Sequence, residues 1–139
     1  MTPAQWLIDK SALARLAQRA VNEVAWERIV AGAVGVSILT ELEMGFSARS
    51  AADYRETRDK LVDRLLPIAL PFRAERRAQE VQASLVDRGQ HRAVSVPDLL
   101  IAATAEIEGL TVLHYDADFD LIAEATGQPM EWVVPQGSI

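Results

Sequence analysis

The sequence predicts an α/β fold, a three-layer α/β/α domain with a short, mostly parallel central sheet. Three observations carry this expectation. Short apolar runs recur along the chain, Trp6-Leu7-Ile8, Val34-Gly35-Val36 and Val112-Leu113 among them. Runs without polar interruption are what strands covered on both faces require. Helical stretches separate these runs, the alternation of a parallel sheet joined by crossover helices.

Taken in order, Trp6-Leu7-Ile8 ends at Asp9 and reads as a buried strand. Ser11 opens a helical stretch, SALARLAQRA, with Leu13, Leu16 and Ala17 on one face. Asn22 starts another, NEVAWERIVAG, stopped by Gly32. Val34-Gly35-Val36 is the second strand. Ser37 caps ILTELEMGF, with Ile38 and Leu42 marking its apolar side and Gly45 its end. Residues 48–65 read as one long, highly charged amphipathic helix. Pro67 and Pro71 bracket a third strand, Ile68-Ala69-Leu70, and residues 73–88 are helical up to Gly89. Ser95-Val96-Pro97-Asp98 is a helix start: Ser at the N-cap, Pro in the first turn, an acid at the third helical position. That helix ends at Gly109. Thr111 to His114 is the fourth strand, DFDLIAEATG a short helix, and Glu131-Trp132-Val133 a last strand.

The 139 residues fit a single domain spanning 1–139. No run is long and apolar enough for a membrane span, and the first residues lack the pattern of a signal peptide. Cysteine is absent, which excludes disulfides, thiolate zinc sites and Cys nucleophiles and is compatible with a cytoplasmic location. The net charge is −6, but it is unevenly spread. Arg49 to Arg92 carries ten Lys/Arg against seven Asp/Glu, whereas residues 93–139 carry eight acids and no Lys or Arg. The Arg-rich middle suits a polyanion, or simply solvated helix faces.

The acids fall where strands end. VLHYDADFDLIA places Asp116, Asp118 and Asp120 within five positions after an apolar run. Asp9 ends the first strand, Glu41 lies one turn after Ser37, and Asp98 sits in the first turn of its helix. In open parallel sheets this strand-end edge is where sites form. Each acid also has a local explanation: Asp98 completes a cap with Ser95, Asp118 caps the helix at Phe119, Asp9 caps SALARL, and Glu41 is a solvated helix residue. Together they share one edge. Converging carboxylates repel unless a cation joins them, and a hard divalent ion such as Mg2+ takes oxygen ligands. With no Cys and only His91 and His114, a nitrogen/sulfur zinc site is disfavoured. Glu43 points to a different helix face from Glu41, and Asp120 lies in a helical first turn, so both are left outside the cluster.

LIDKSAL, ELEMG, PDLLIAATA and TVLHYDADFDLIA resemble, in this order, the motifs of PIN-domain ribonucleases, and most of all the VapC toxins of type II toxin–antitoxin modules. The resemblance implies a PIN-like fold with Asp9, Glu41, Asp98 and Asp116 as catalytic acids. It implies Asp9, Asp98, Asp116 and Asp118 around the metal, with Ser11 and His114 in support. Lys10 and His114 depart from the Thr frequent at those places. The implied activity is Mg2+-dependent endonucleolytic cleavage of RNA, with Mn2+ able to substitute and tRNA among the targets such proteins cut. The implied partners are a VapB-type antitoxin and a second copy of the chain, with no membrane. Residues 11–31, with Leu13, Leu16, Val24, Trp26 and Ile29, fill either the core or an antitoxin groove.

Three other readings stay open at this stage. One is a non-toxin PIN nuclease for RNA processing. Another is a non-catalytic PIN domain that binds RNA or protein. The third is a metal-dependent phosphatase, against which Ser11 counts: it stands where such enzymes carry the second acid of a D-x-D pair.

Overall fold

The computed structural model describes residues 4–139. Five parallel strands run β1 (Trp6–Ile8), β2 (Val34–Ser37), β3 (Leu66–Ile68), β4 (Thr111–His114) and β5 (Met130–Trp132), in the spatial order β3-β2-β1-β4-β5. The helices are α1 (Lys10–Leu13), α2 (Arg19–Val30), α3 (Ile38–Phe46), α4 (Ala51–Lys60), α5 (Ala74–Asp87), α6 (Val96–Glu108) and α7 (Asp118–Thr126). The chain moves outward from β1 to β3, then returns to lay β4 on the other side of β1. This makes β1/β4 the switch point of the sheet, with its crevice at the strand C-termini.

Alternation along the strands builds two cores. Leu7 and Val112 face Ala78, Val81, Leu85, Ile101, Ala102, Phe119 and Ile122, from α5, α6 and α7. Ile8, Val34, Val36 and Leu113 face Ala12, Leu13, Val21, Ala25 and Ile29, from α1 and α2. Successive strand residues point to opposite faces, so each strand feeds both layers. Leu13, Leu16 and Ile29 are therefore core, while Val24 and Trp26 pack on its edge. Gly35 is required where β2 meets β3. A Cβ there would stand 2.4 Å from Ile68 Cγ1, an atom too close to the backbone to swing away. No described helix is long and apolar enough to cross a membrane.

Several expected boundaries move. The stretch opening at Ser11 yields only the four-residue α1, and α2 begins at Arg19, ahead of Asn22. The charged helix expected over 48–65 starts at Ala51, where the Ser50 side chain accepts from Asp53 N, and ends at Lys60. Leu61 leaves helical geometry, and a 3-10 turn (Val62–Arg64) then carries Val62 and Leu65 into the interior. The third strand is Leu66–Ile68, not 68–70, with Pro67 inside it. Proline is admissible because β3 is an edge strand and owes no outward N–H to a neighbour. Asp118 is the first residue of α7, and Ala117 stands at the cap position.

Candidate active site

At the C-terminal edge of the sheet, a cavity of about 310 Å³ is lined by Asp9, Lys10, Ser11, Ala14, Arg15, Glu43, Ser95, Asp98, Asp116 and Asp118. Four structural elements deliver its acids. Asp9 terminates β1 and caps α1, its Oδ2 accepting from Ser11 N at 2.9 Å. Glu43 comes from α3. Asp98 sits at the third position of α6, its N–H donating to Ser95 Oγ at 3.3 Å. Asp116 and Asp118 follow β4. Asp98, Asp116 and Asp118 each present a carboxylate oxygen, and these three oxygens lie within 4.8 Å of one another.

Two side chains fix the acidic loop from behind. Ser11 Oγ accepts from Tyr115 N at 2.9 Å, tying the β1 end to the β4 end. Its hydroxyl is occupied by backbone, which suits a supporting role. His114 is fully buried between Phe119 and Trp132, with ring centroids 5.0 and 4.9 Å away. Its Nδ1 accepts from Asp116 N at 3.1 Å, which puts the imidazole proton on Nε2. Burial pushes its pKa down, and the nearby Asp120, Asp9 and Asp116 oppose this without reversing it. Asp116 Oδ1 then accepts from Asp118 N at 2.9 Å. The imidazole thus acts on the loop backbone rather than in the cavity. His114→Ala should cost about 3 kcal/mol in a urea unfolding experiment, because it leaves a void and strips Asp116 N of its acceptor.

The electrostatics suit a bound cation. Burial pushes Asp98 up to about 7, helped by the charges of Asp9, Asp116 and Glu43 and opposed by the Ser95 hydrogen bond. Asp118 is raised by burial and by Asp116. Glu43 is raised by burial and Asp9, with Lys10 pulling the other way. These are the signs of carboxylates crowded out of water. An all-oxygen donor set of this kind suits a hard divalent ion.

Asp9, Asp98, Asp116 and Asp118, expected from the sequence, thus meet in one cavity, although Asp9 stands outside the tightest group of three. Glu41 does not join them. Its Oε1 accepts from Arg58 Nη1 at 2.9 Å, and it lines no part of this cavity. Glu43, set aside at first, takes the place on α3. The cause is the rotation of that helix. Thr40 is buried and Met44 packs on the core, so the side of α3 bearing Thr40, Glu43 and Met44 turns inward. Ile38 and Leu42, which read as the apolar face, are 47% and 64% exposed, and Phe46 beside them is 91% exposed. Arg15 also lines the cavity without having been singled out. The sequence signal for Glu43 is the polar Thr40 one turn before it, on the side away from Leu42.

Comparison with known proteins gives a consistent result. A PIN domain family model matches residues 6–125. The Ribonuclease VapC2 of Mycobacterium tuberculosis is 52% identical over 132 residues, covering 94% of both chains. The Ribonuclease VapC51 of the same organism is 44% identical over 135 residues, covering 97% of each. Among solved structures, the DNA-bound VapBC of Salmonella typhimurium superposes with a TM-score of 0.76 at 20% identity, over 92% of this chain and 97% of that one.

Proposed function

The chain belongs to the PIN-domain family and, within it, to the VapC ribonucleases, and from that premise we propose that it is the toxin of a type II toxin–antitoxin pair, a Mg2+-dependent endoribonuclease. The observation that carries the site assignment is the approach of Asp98, Asp116 and Asp118 within 4.8 Å in a cavity that Asp9 and Glu43 also line. Asp98, Asp116 and Asp118 would hold the cation. A divalent ion bound there supplies Lewis-acid activation of water and stabilisation of the charge developing on the leaving oxygen. Asp9 and Glu43, outside the group of three, would orient the attacking water by accepting its hydrogen bonds, and Glu43 would take its proton as the water oxygen bonds to phosphorus and the bond from phosphorus to the leaving ribose oxygen breaks, that oxygen taking a proton from solvent. Ser11 and His114 keep the acidic loop in register through Tyr115 N and Asp116 N. Ser11 has no general base at hand and is not a nucleophile.

The same reading assigns the chain to the cytoplasm, with a VapB-type antitoxin as partner and a homodimer as its free form. RNA, tRNA included, is the substrate. Purified protein incubated with bulk tRNA should cut it in Mg2+ or Mn2+, stop in EDTA, and stop when the co-expressed antitoxin is retained. Cleavage that persists undiminished in EDTA, or none in either metal, would sink the proposal. Dimerisation is checked separately by light scattering of the toxin alone.

A further inference from the structure

The cavity wall holds five carboxylates and two cations, Lys10 and Arg15. Yet among the described residues no ion pair joins either cation to a carboxylate. Elsewhere the chain behaves in the ordinary way: Arg58 pairs with Glu41, and Arg77 with Glu106. A guanidinium free to move among carboxylates would be expected to form a forked pair. Neutral partners hold Arg15 away. Its Nη1 donates to Ser11 O at 2.7 Å, and its guanidinium lies 5.0 Å from the centre of the Tyr115 ring.

Tyr115 is itself fixed. Its N–H donates to Ser11 Oγ at 2.9 Å, its hydroxyl donates to Ile139 O at 3.0 Å and accepts from Gly137 N at 3.0 Å, and its ring meets Trp132 edge-on. Arg15 therefore stands at a set position with its charge intact. Among the described residues only one of its five N–H donors has a protein acceptor. Lys10 differs. It donates to Ser47 Oγ at 2.8 Å and acts on Glu43, holding that carboxyl down against its burial.

A strand of RNA entering an acidic cavity needs a cation that has not already collapsed onto the acids. We infer that Arg15 is a phosphate clamp, its guanidinium gripping a phosphate oxygen of the RNA strand that lies in the cavity. The inference rests on the ribonuclease reading above and names a positioning residue for it. The Tyr115 ring and the Ser11 carbonyl aim the fork, and its unused donors provide the grip.

The test uses the full-length protein with Mn2+ and bulk tRNA, comparing wild type with Arg15→Ala and Arg15→Lys across a series of salt concentrations. Arg15→Ala should lose about ten- to a hundredfold in kcat/KM, chiefly through KM, as for one charged hydrogen-bonding group. The slope of log(kcat/KM) against log(salt) should become shallower by about 0.7–0.9, one phosphate contact fewer. Arg15→Lys should restore the slope and part of the rate, since it keeps the charge and loses the fork. Mn2+ affinity by calorimetry without RNA, and the melting temperature, should stay close to wild type. Arg15→Ala with wild-type kcat/KM and slope would overturn the clamp while leaving the nuclease intact. So would a rate loss accompanied by weakened Mn2+ binding, or a slope that Arg15→Lys fails to restore, since either marks a structural role. Wild type that cuts no RNA in either metal would instead overturn the reading beneath it.

Discussion

Asp98→Asn should abolish RNA cleavage and at the same time make the metal-free protein more stable. The two effects share a cause. Asp98 is 8% exposed and its carboxyl is pushed up to about 7, first by burial and then by Asp9. A carboxyl whose pKa is higher in the folded state than in the unfolded chain stabilises the fold fully below the unfolded value, near 4. That contribution disappears as pH rises through 7. At pH 8 the ionised group therefore works against the fold by up to about 4 kcal/mol, less what solvent screening removes. Asn is close in shape and carries no charge, so unfolding in EDTA at pH 8 should show a gain of roughly 2–4 kcal/mol for the variant. Mn2+ should reverse the order, raising wild type strongly and the variant little. Cleavage should fall at least about a hundredfold, the loss of several kcal/mol of charge stabilisation. A metal-free variant less stable than wild type would contradict the crowding of these acids. The pH profile separates a second group. His114 has a lowered pKa, so its contribution is present above its unfolded value near 6.5 and is lost as pH falls below it. Wild type in EDTA combines this with the opposite trend of Asp98. The Asn variant should lose the Asp98 part of that trend, so that its stability falls more on acidification than that of wild type, while Asp118 and Glu43, both raised by burial, still offset part of the His114 loss.

Local chemistry made much of this legible. Ser37 and Ser95 are read as N-caps from sequence and accept from Leu39 N and Asp98 N in the structure; Gly109 ends α6 in left-handed geometry. Those signals depend on a few adjacent residues. Leu61 and Pro67 show the limit. Leu61 breaks a charged helix because Val62 and Leu65 are needed in the interior, a demand set by residues far away in sequence. Pro67 sits inside a strand because that strand has no neighbour on one side, which only the strand order reveals. Among the acids, those attached directly to strand ends could be placed by the topology rule alone. The acid carried a turn and more into α3 could not, because its direction depends on how that helix is rotated. There the apolar pattern points the wrong way, since Ile38, Leu42 and Phe46 face outward.

That rotation yields the second large effect, a contrast between two glutamates two residues apart. Glu43→Gln should lower kcat for RNA cleavage by roughly a hundredfold, the ordinary cost of losing a carboxylate that handles a proton. The side chain keeps its size, lines the same cavity and loses only its charge. Metal affinity should be barely weakened, because Glu43 stands outside the Asp98–Asp116–Asp118 group. Glu41→Gln should leave kcat within about threefold of wild type. Its effect should be felt in folding instead, since Glu41 and Asp63 share Arg58 and the loss of one half-buried ion pair costs about 1 kcal/mol or less. Raising the salt concentration should shrink the Glu41→Gln stability difference and leave the Glu43→Gln rate difference in place. A protein in which Glu41→Gln stops cleavage while Glu43→Gln does not would require α3 to turn by nearly half a revolution. Thr40 and Met44 would then leave the interior, and Ile38, Leu42 and Phe46 would be buried in their place.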